Sequence, residues 1–589
     1  MPNWLPKNSF TNPGVHTWRR RRRFSNPGVH AWETSRRLTS LLQDALSAAL
    51  AKLPLRDIKK PHKWGSKINR AQRVPGVNAW ASGKVRHDHI QQAVQKTLTG
   101  FFQSAENRLR NTRPPRWSLS VLVVNLLFLA IGLASVVYSQ GSGDTALNAV
   151  RSSDRAERAA NGKLAPQITA AEHMRRATVY MANRAFAPAR EHWQSVIDSF
   201  PNDINVPAAL YGIARSYFQE RRYEEARQIY ERLAHDYPQT KEGREGLNFS
   251  ASSLLRMGRG AEAAARYAEY IGKYPDGERI DTAHLNMIDG YREAGRPQDA
   301  IAWIDRTREK FAGTATDTNA IFARLRLDIA LGDWQHAVQI ADELLSKPLP
   351  VGSNTNADEL LYLKAHSLER AGRLQDANRI YLMIPDNLNS YYGELATKRL
   401  SASADDNMRQ RAADRMRSVQ ASTASAATDY PAPYRLLMVS EAKKQGLDPR
   451  LVLAIMKQES RFKPNAKSPS AARGLLQLTI DAAQRYAPRS GIKLVTEDSL
   501  YRPEVAIPIG CEYLGELSRM FAGLSEAIAA SYNGGEDNVA RWLARSNQND
   551  EGVFAAEVGF TESKNYVFKV MSYFRAYRQL YTADLKRRY

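Results

Sequence analysis

Hydrophobic and polar positions divide the chain into regions of different period. From Trp117 to Tyr138 the run WSLSVLVVNLLFLAIGLASVVY carries no charge, and as a helix rising about 1.5 Å per residue it would span ~33 Å, enough to cross a bilayer. Residues 1–116 show little sustained apolar periodicity and mix Pro and Gly with dense basic charge, which predicts a disordered tail. Between Glu172 and about Pro385 an alanine recurs at Ala189, Ala226, Ala263, Ala300, Ala337 and Ala377, every 37 residues and then after 40. Four residues on, one helical turn along the same face, stand Trp193, Tyr230, Tyr267, Ile304 and, in the last copy, Tyr381. Gly258, Gly295, Gly332 and Gly372 lie five residues before the alanine, where a helix end calls for positive φ. Pro201, Pro238 and Pro275 close the second helix. Each unit therefore predicts helix, turn, helix.

Small alanine set against a large side chain at this period resembles tetratricopeptide repeats, which implies an α-superhelix over residues 172–400 with a concave surface for a ligand or protein partner. The recurring aromatics are read as core and none is assigned to a site. Residues 139–171 read as a spacer, and the polar, Ala- and Ser-rich stretch 401–429 as a linker with helix around Met408 to Val419. A last structured region covers 430–577, and 578–589 read as a basic C-terminal tail.

Charge sharpens this division. Of the formal net charge of +23, residues 1–116 carry +18, so the folded bulk is only mildly basic and no specific nucleic-acid partner is expected. Arg108, Arg110, Arg113 and Arg116 precede the apolar run and GSGD follows it, so the positive-inside rule leaves the N-terminus cytoplasmic. The expectation is a single-pass anchor at 117–138 in the inner membrane, with the remainder in the periplasm. The one cysteine, Cys511, excludes an intramolecular disulfide and reads as a small buried side chain. The eleven histidines form no cluster with metal-ligand spacing, so neither metal nor cofactor is expected.

The candidate chemistry lies near the C-terminus. In GLDPRLVLAIMKQESRF (446–462), Asp448 is a plausible N-cap and Pro449 suits the first helical position. Leu451, Val452, Ile455, Glu459 and Phe462 fall on one face, so a carboxylate lies on the apolar stripe while Lys457 and Ser460 lie off it. Burial disfavours the ionised form and raises a carboxyl pKa toward neutrality, as a general acid needs. A Glu459 paired with Arg461 or another base in a purely structural ion pair is the competing reading of the same residues.

The surrounding segments ESRFKPNAKSPSAARGLLQLTIDAA (459–483) and SYNGGEDNVARW (531–542) resemble the motifs of soluble, Slt-type lytic transglycosylases. The resemblance extends to YPAPYRLL (430–437), AIPIGCEYLGEL (506–517), TESKNYV (561–567) and SYYGELATKRL (390–400). It implies an all-α chain in which the superhelix precedes a lysozyme-like α-helical catalytic domain. It also implies cleavage of the β-1,4 bond between N-acetylmuramic acid and N-acetylglucosamine in peptidoglycan glycan strands, leaving 1,6-anhydromuramyl ends. Glu459 would be the single catalytic acid and Tyr532 would orient it. Ser468, Gln477 and Asn533 would hold the sugar, and Glu562 and Tyr566 would wall the site. The chain departs from the family pattern at Ala471, where glycine is usual, at Leu476 for methionine, at Ala482 for threonine, and at Lys564 for arginine. A hydrolytic muramidase on the same fold, and an inactive glycan-binding scaffold, remain the alternatives at this level.

Overall fold

The computed structural model describes residues 143–588 except 163, 165–167 and 547–549, all within one compact unit. The expected tail at 1–116 and the expected span at 117–138 lie outside the described residues. Among those described, no helix is long and apolar enough to cross a membrane. Regular structure in this part is helical throughout; the β-bridges of Lys467 with Arg473, Arg473 with Leu478 and Tyr581 with Arg587 are isolated.

Helix pairs run from Ala170–Ala182 with Phe186–Ser199 to Ala357–Arg370 with Leu374–Met383. The six periodic alanines are all fully or almost fully buried, as are Tyr230, Tyr267, Ile304 and Tyr381. Side chains this small let one helix approach the next closely enough for the large residue a turn later to fill the gap. The turn glycines take positive φ: Gly258 +74°, Gly295 +65°, Gly332 +78° and Gly372 +79°. In the first two copies the same turn position is Arg184 (φ +60°) and Arg221 (φ +64°), so an L-residue occupies a conformation that costs it about 1–2 kcal/mol.

Both arginines reach the C-terminal domain. Arg184 makes a bidentate pair with Asp481, at 2.7 and 2.8 Å, and Arg221 grips Glu536. Further along, Arg292 and Arg326 converge on Glu557, which is 1% exposed, while Glu293 takes Arg541 and Arg545. Lys564 sits in the same seam. Its ammonium donates to the Asn354 carbonyl (2.9 Å), Glu359 Oε1 (3.0 Å) and the Ala556 carbonyl (3.1 Å), and lies 4.6 Å from the Phe322 ring centre. Lys564 therefore joins the superhelix to the domain, with all three of its donors used.

Apolar packing crosses the same boundary, because one hydrophobic core runs continuously from Ile321 to Leu585. The stretch 401–429 is more structured than a linker: Asp406–Ser425 is a 20-residue helix that buries Ala412, Val419 and Thr423. Its Arg415 donates to the carbonyls of Tyr381 and Ile384. In the region read as a spacer, the helix Gly143–Asn161 buries Leu147, Val150 and Asp154 and extends Arg151 to Glu497. The C-terminal residues fold back, with Arg588 N–H on the Leu580 carbonyl and both Tyr581 and Leu585 buried.

Candidate active site

The helix Pro449–Ser460 begins as its sequence predicts, with Asp448 accepting from the Arg450 N–H at 2.9 Å and Pro449 in the first turn. Its apolar stripe, Leu451, Val452 and Ile455, is buried, and Glu459 stands one residue before the end of the helix. Ser460, expected off the stripe, is buried as well. Its hydroxyl donates to the Leu475 carbonyl at 2.8 Å, pinning the helix end to the loop that follows. Arg461 and Phe462 then both take positive φ, +49° and +63°, turning the chain sharply away from the acid.

Glu459 is half-buried, and its carboxyl accepts a 2.7 Å bond from the Tyr566 hydroxyl. Loss of hydration pushes its pKa up to about 8; the exposed Glu562 pushes in the same direction, and the Tyr566 bond opposes them. Its place in the last helical turn, where the backbone dipole is negative, also favours the protonated form. Arg461, the competing ion-pair partner, is exposed and is not bonded to the acid. Near pH 7 Glu459 thus carries a proton and has a solvent-facing route along which to deliver it.

Tyr532 is fully buried on the helix Ser525–Gly534 and donates to the Leu476 carbonyl at 2.6 Å. Its ring packs 5.2 Å from that of Tyr513. Tyr532 therefore lies near enough to feel the charge of Glu459, yet its hydroxyl fixes the loop while Tyr566 holds the acid. Asn533 is buried, and its Oδ1 accepts from Ser563 at 2.6 Å. Gln477 (φ +46°) turns its amide inward, donating to the carbonyls of Gly474 (2.9 Å) and Ala466 (3.1 Å). Ser468 accepts from the Ala472 N–H at 3.1 Å and caps a turn whose third residue after it, Ala471, has φ +59°.

The arrangement brings Glu459, Tyr566, Tyr532 and the 466–478 loop together through hydrogen bonds, with Asn533 next to Tyr532 on its helix. Ser468 and Gln477 spend their polar atoms on loop geometry, and Glu562 acts on the acid through its charge. Lys564 stands at the superhelix seam. Sequence reasoning missed Ser563 as the partner of Asn533 and the Leu475 and Leu476 carbonyls as anchors. Ser563, Tyr566, Val567 and Val570 form a buried stripe on the helix Thr561–Leu580, and that spacing is the signal available for Ser563. Cys511 is buried, and burial raises its thiol to about 12.

Residues 437–554, which hold the acid helix, the loop and Tyr532, match the family described as Transglycosylase SLT domain. The chain carries a transglycosylase SLT domain. Residues 208–240 and 250–314 match two families described as Tetratricopeptide repeat. The chain is 32% identical over 163 residues to a putative soluble lytic murein transglycosylase of Haemophilus influenzae, covering 26% of this chain and 27% of that protein. It is 30% identical over 168 residues to the soluble lytic murein transglycosylase of Salmonella typhimurium, covering 27% and 26%. Membrane-bound lytic murein transglycosylase C of Salmonella arizonae is 32% identical over 164 residues, 24% of this chain and 46% of that protein. The match thus spans about a quarter of the length of the soluble relatives and under half of the membrane-bound one. Among solved structures, the lytic transglycosylase Slt of Pseudomonas aeruginosa aligns at TM-score 0.42 and 19% identity, over 91% of this chain and 96% of that chain. The 70 kDa soluble lytic transglycosylase of Escherichia coli aligns at TM-score 0.40 and 18% identity, over 87% and 99%. Both the acid and its tyrosine partner are contributed by the SLT region and the helix just after it.

Proposed function

We propose that this chain is a peptidoglycan lytic transglycosylase in which Glu459 is the single acid–base catalyst. Protonated Glu459 gives its proton to the glycosidic oxygen, the bond from that oxygen to C1 of the muramyl residue breaks, and N-acetylglucosamine leaves with its 4-hydroxyl. The substrate's own N-acetyl group stabilises the cation. The carboxylate then takes the proton of the muramyl 6-hydroxyl as that oxygen attacks C1, closing the 1,6-anhydro ring and consuming no water. The observation that carries this reading is a half-buried carboxyl raised to about 8 and held by Tyr566. The SLT match and the named relatives support the same substrate class.

In this reading Tyr532 and Gln477 keep the loop fixed beside the acid, and Ser468, Asn533 and Glu562 border the bound sugar. The uncharged run at 117–138, with arginines on one side, supports anchorage in the inner membrane with the SLT domain in the periplasm. The deciding experiment digests purified peptidoglycan with the full chain and reads the sugar termini by mass spectrometry. Anhydromuramyl ends are expected; reducing muramyl ends would make the enzyme a hydrolase. Glu459→Gln should lower turnover by at least about 100-fold.

A further inference from the structure

The helix Gly143–Asn161, read from sequence as spacer, docks through one stripe of side chains. Leu147, Val150 and Asp154 are buried, and Arg151 falls on the same face. Asp154 accepts from Arg176 at 2.6 Å and from the Tyr180 hydroxyl at 2.5 Å, with His192 Nε2 3.1 Å away, so the helix is fixed to the first pair of repeat helices. One turn earlier, Arg151 donates to Glu497 Oε1 at 2.8 Å. Glu497 stands in a turn that closes on itself: the Thr496 N–H donates to Ser499 Oγ at 3.0 Å, and the Ser499 hydroxyl donates to the Thr496 carbonyl at 2.8 Å. Burial would raise the Glu497 carboxyl, yet the Arg151 bond, its own backbone N–H and the charges of Arg151 and Arg473 hold it below the ordinary value.

The segment 496–501 lies directly under the loop 466–478. Gly474 packs so closely on the Leu500 carbonyl that any Cβ there would collide with it. Its neighbour Arg473 is wholly buried, donates through Nη1 to the Ala471 carbonyl at 2.7 Å, and exchanges both backbone bonds with Leu478. A loop braced in this way moves with its support. We infer that Arg151 is a positioning residue for the transglycosylase reaction: by holding Glu497 it keeps the 496–501 segment against Gly474, and so sets the loop whose Ser468 borders the sugar. The inference rests on the peptidoglycan reading above. Glu459 is held from another helix, by Tyr566, so its proton chemistry is independent of this support. The helix that looked like a passive spacer is thereby part of what places the substrate.

The test compares the full chain and its Arg151→Gln variant on purified peptidoglycan. The variant should raise KM about 5-fold while kcat and the basic limb of the pH–rate profile stay as in wild type, because the loop is displaced and the acid is not. Glu497→Gln should do the same, the double variant no more than either, and Arg151→Lys should recover most of the loss. Arg155, exposed on the same helix, is the control, and Arg155→Gln should keep wild-type values. Hydrogen exchange adds a readout that needs no substrate: amides of 466–478 should exchange at least about 3-fold faster in Arg151→Gln, and those of Ala170–Ala182 at the wild-type rate. Unchanged KM with unchanged loop exchange, or a fall in kcat at constant KM, would overturn the inference. If wild type released no product from peptidoglycan, the functional reading would fail, and loop exchange alone would decide for Arg151: faster exchange sustains its role and equal exchange refutes it.

Discussion

Replacing Glu459 by glutamine should abolish activity and, at neutral pH, make the protein more stable. The amide oxygen can still accept from Tyr566, so the change removes the titrating proton and little else. In the unfolded chain this glutamate ionises near the ordinary value of 4.5, whereas in the fold it holds its proton up to about 8. Between those pH values the native state binds the extra proton, so stability falls as pH rises through the window and levels off above it. At about 1.4 kcal/mol per pH unit the cost at pH 7 has a ceiling of ~3 kcal/mol, and solvent reaching the half-buried carboxyl reduces it to about 1–3 kcal/mol. Urea denaturation of wild type and Glu459→Gln at pH 4, 6 and 7.5 measures it. The two should coincide at pH 4 and separate progressively in favour of the variant. Equal stability at pH 7.5, or a gap independent of pH, would refute the argument that desolvation keeps this acid protonated. Wild-type turnover should correspondingly fall as pH rises through about 8.

Tyr566→Phe removes the bond that favours the carboxylate, so the basic limb of the pH–rate profile should move to higher pH; a shift downward would show that Tyr566 acts otherwise. Ala471→Gly relieves a left-handed alanine and should raise stability by up to about 1 kcal/mol in urea unfolding, with activity retained. Lys564→Met leaves Glu359, which is 0% exposed, without its cation and should cost about 3–5 kcal/mol, seen as a lowered unfolding midpoint.

The repeat array was legible because it depends on local rules written many times over. Buried alanines, aromatics one turn later and glycines at positive φ each follow from helix geometry within a single unit. The acid was legible for a similar reason, since Glu459 on an apolar stripe is a statement about 3.6-residue periodicity. What could not be read is what depends on contacts far apart in sequence. Tyr566 meets Glu459 across more than a hundred positions, and the motif gave no sign that it, in place of Tyr532, would hold the carboxyl. Lys564 was visible only as a departure from the family's arginine in a motif that reaches the site, whereas its ammonium points to Glu359 and Asn354 in the repeats. The helix Asp406–Ser425 was foreshortened because its polar sequence hides the few side chains that pack, Ala412, Val419 and Thr423. The missing glycines at 184 and 221 were visible as exceptions, but only the fold shows Asp481 and Glu536 waiting opposite them.

Those two arginines bear on how the array can change over time. Solenoids commonly gain or lose a unit by duplication or deletion, since every repeat meets its neighbours in the same way. Here the turns are individually addressed: arginine at 184 faces Asp481, arginine at 221 faces Glu536, and the later helices bring Arg292 and Arg326 to Glu557. Inserting or excising one unit of about 37 residues between these turns would put the wrong side chain before each acid. A repeat protein that is free to vary in length has here become one whose repeat number is fixed by the C-terminal domain it contacts.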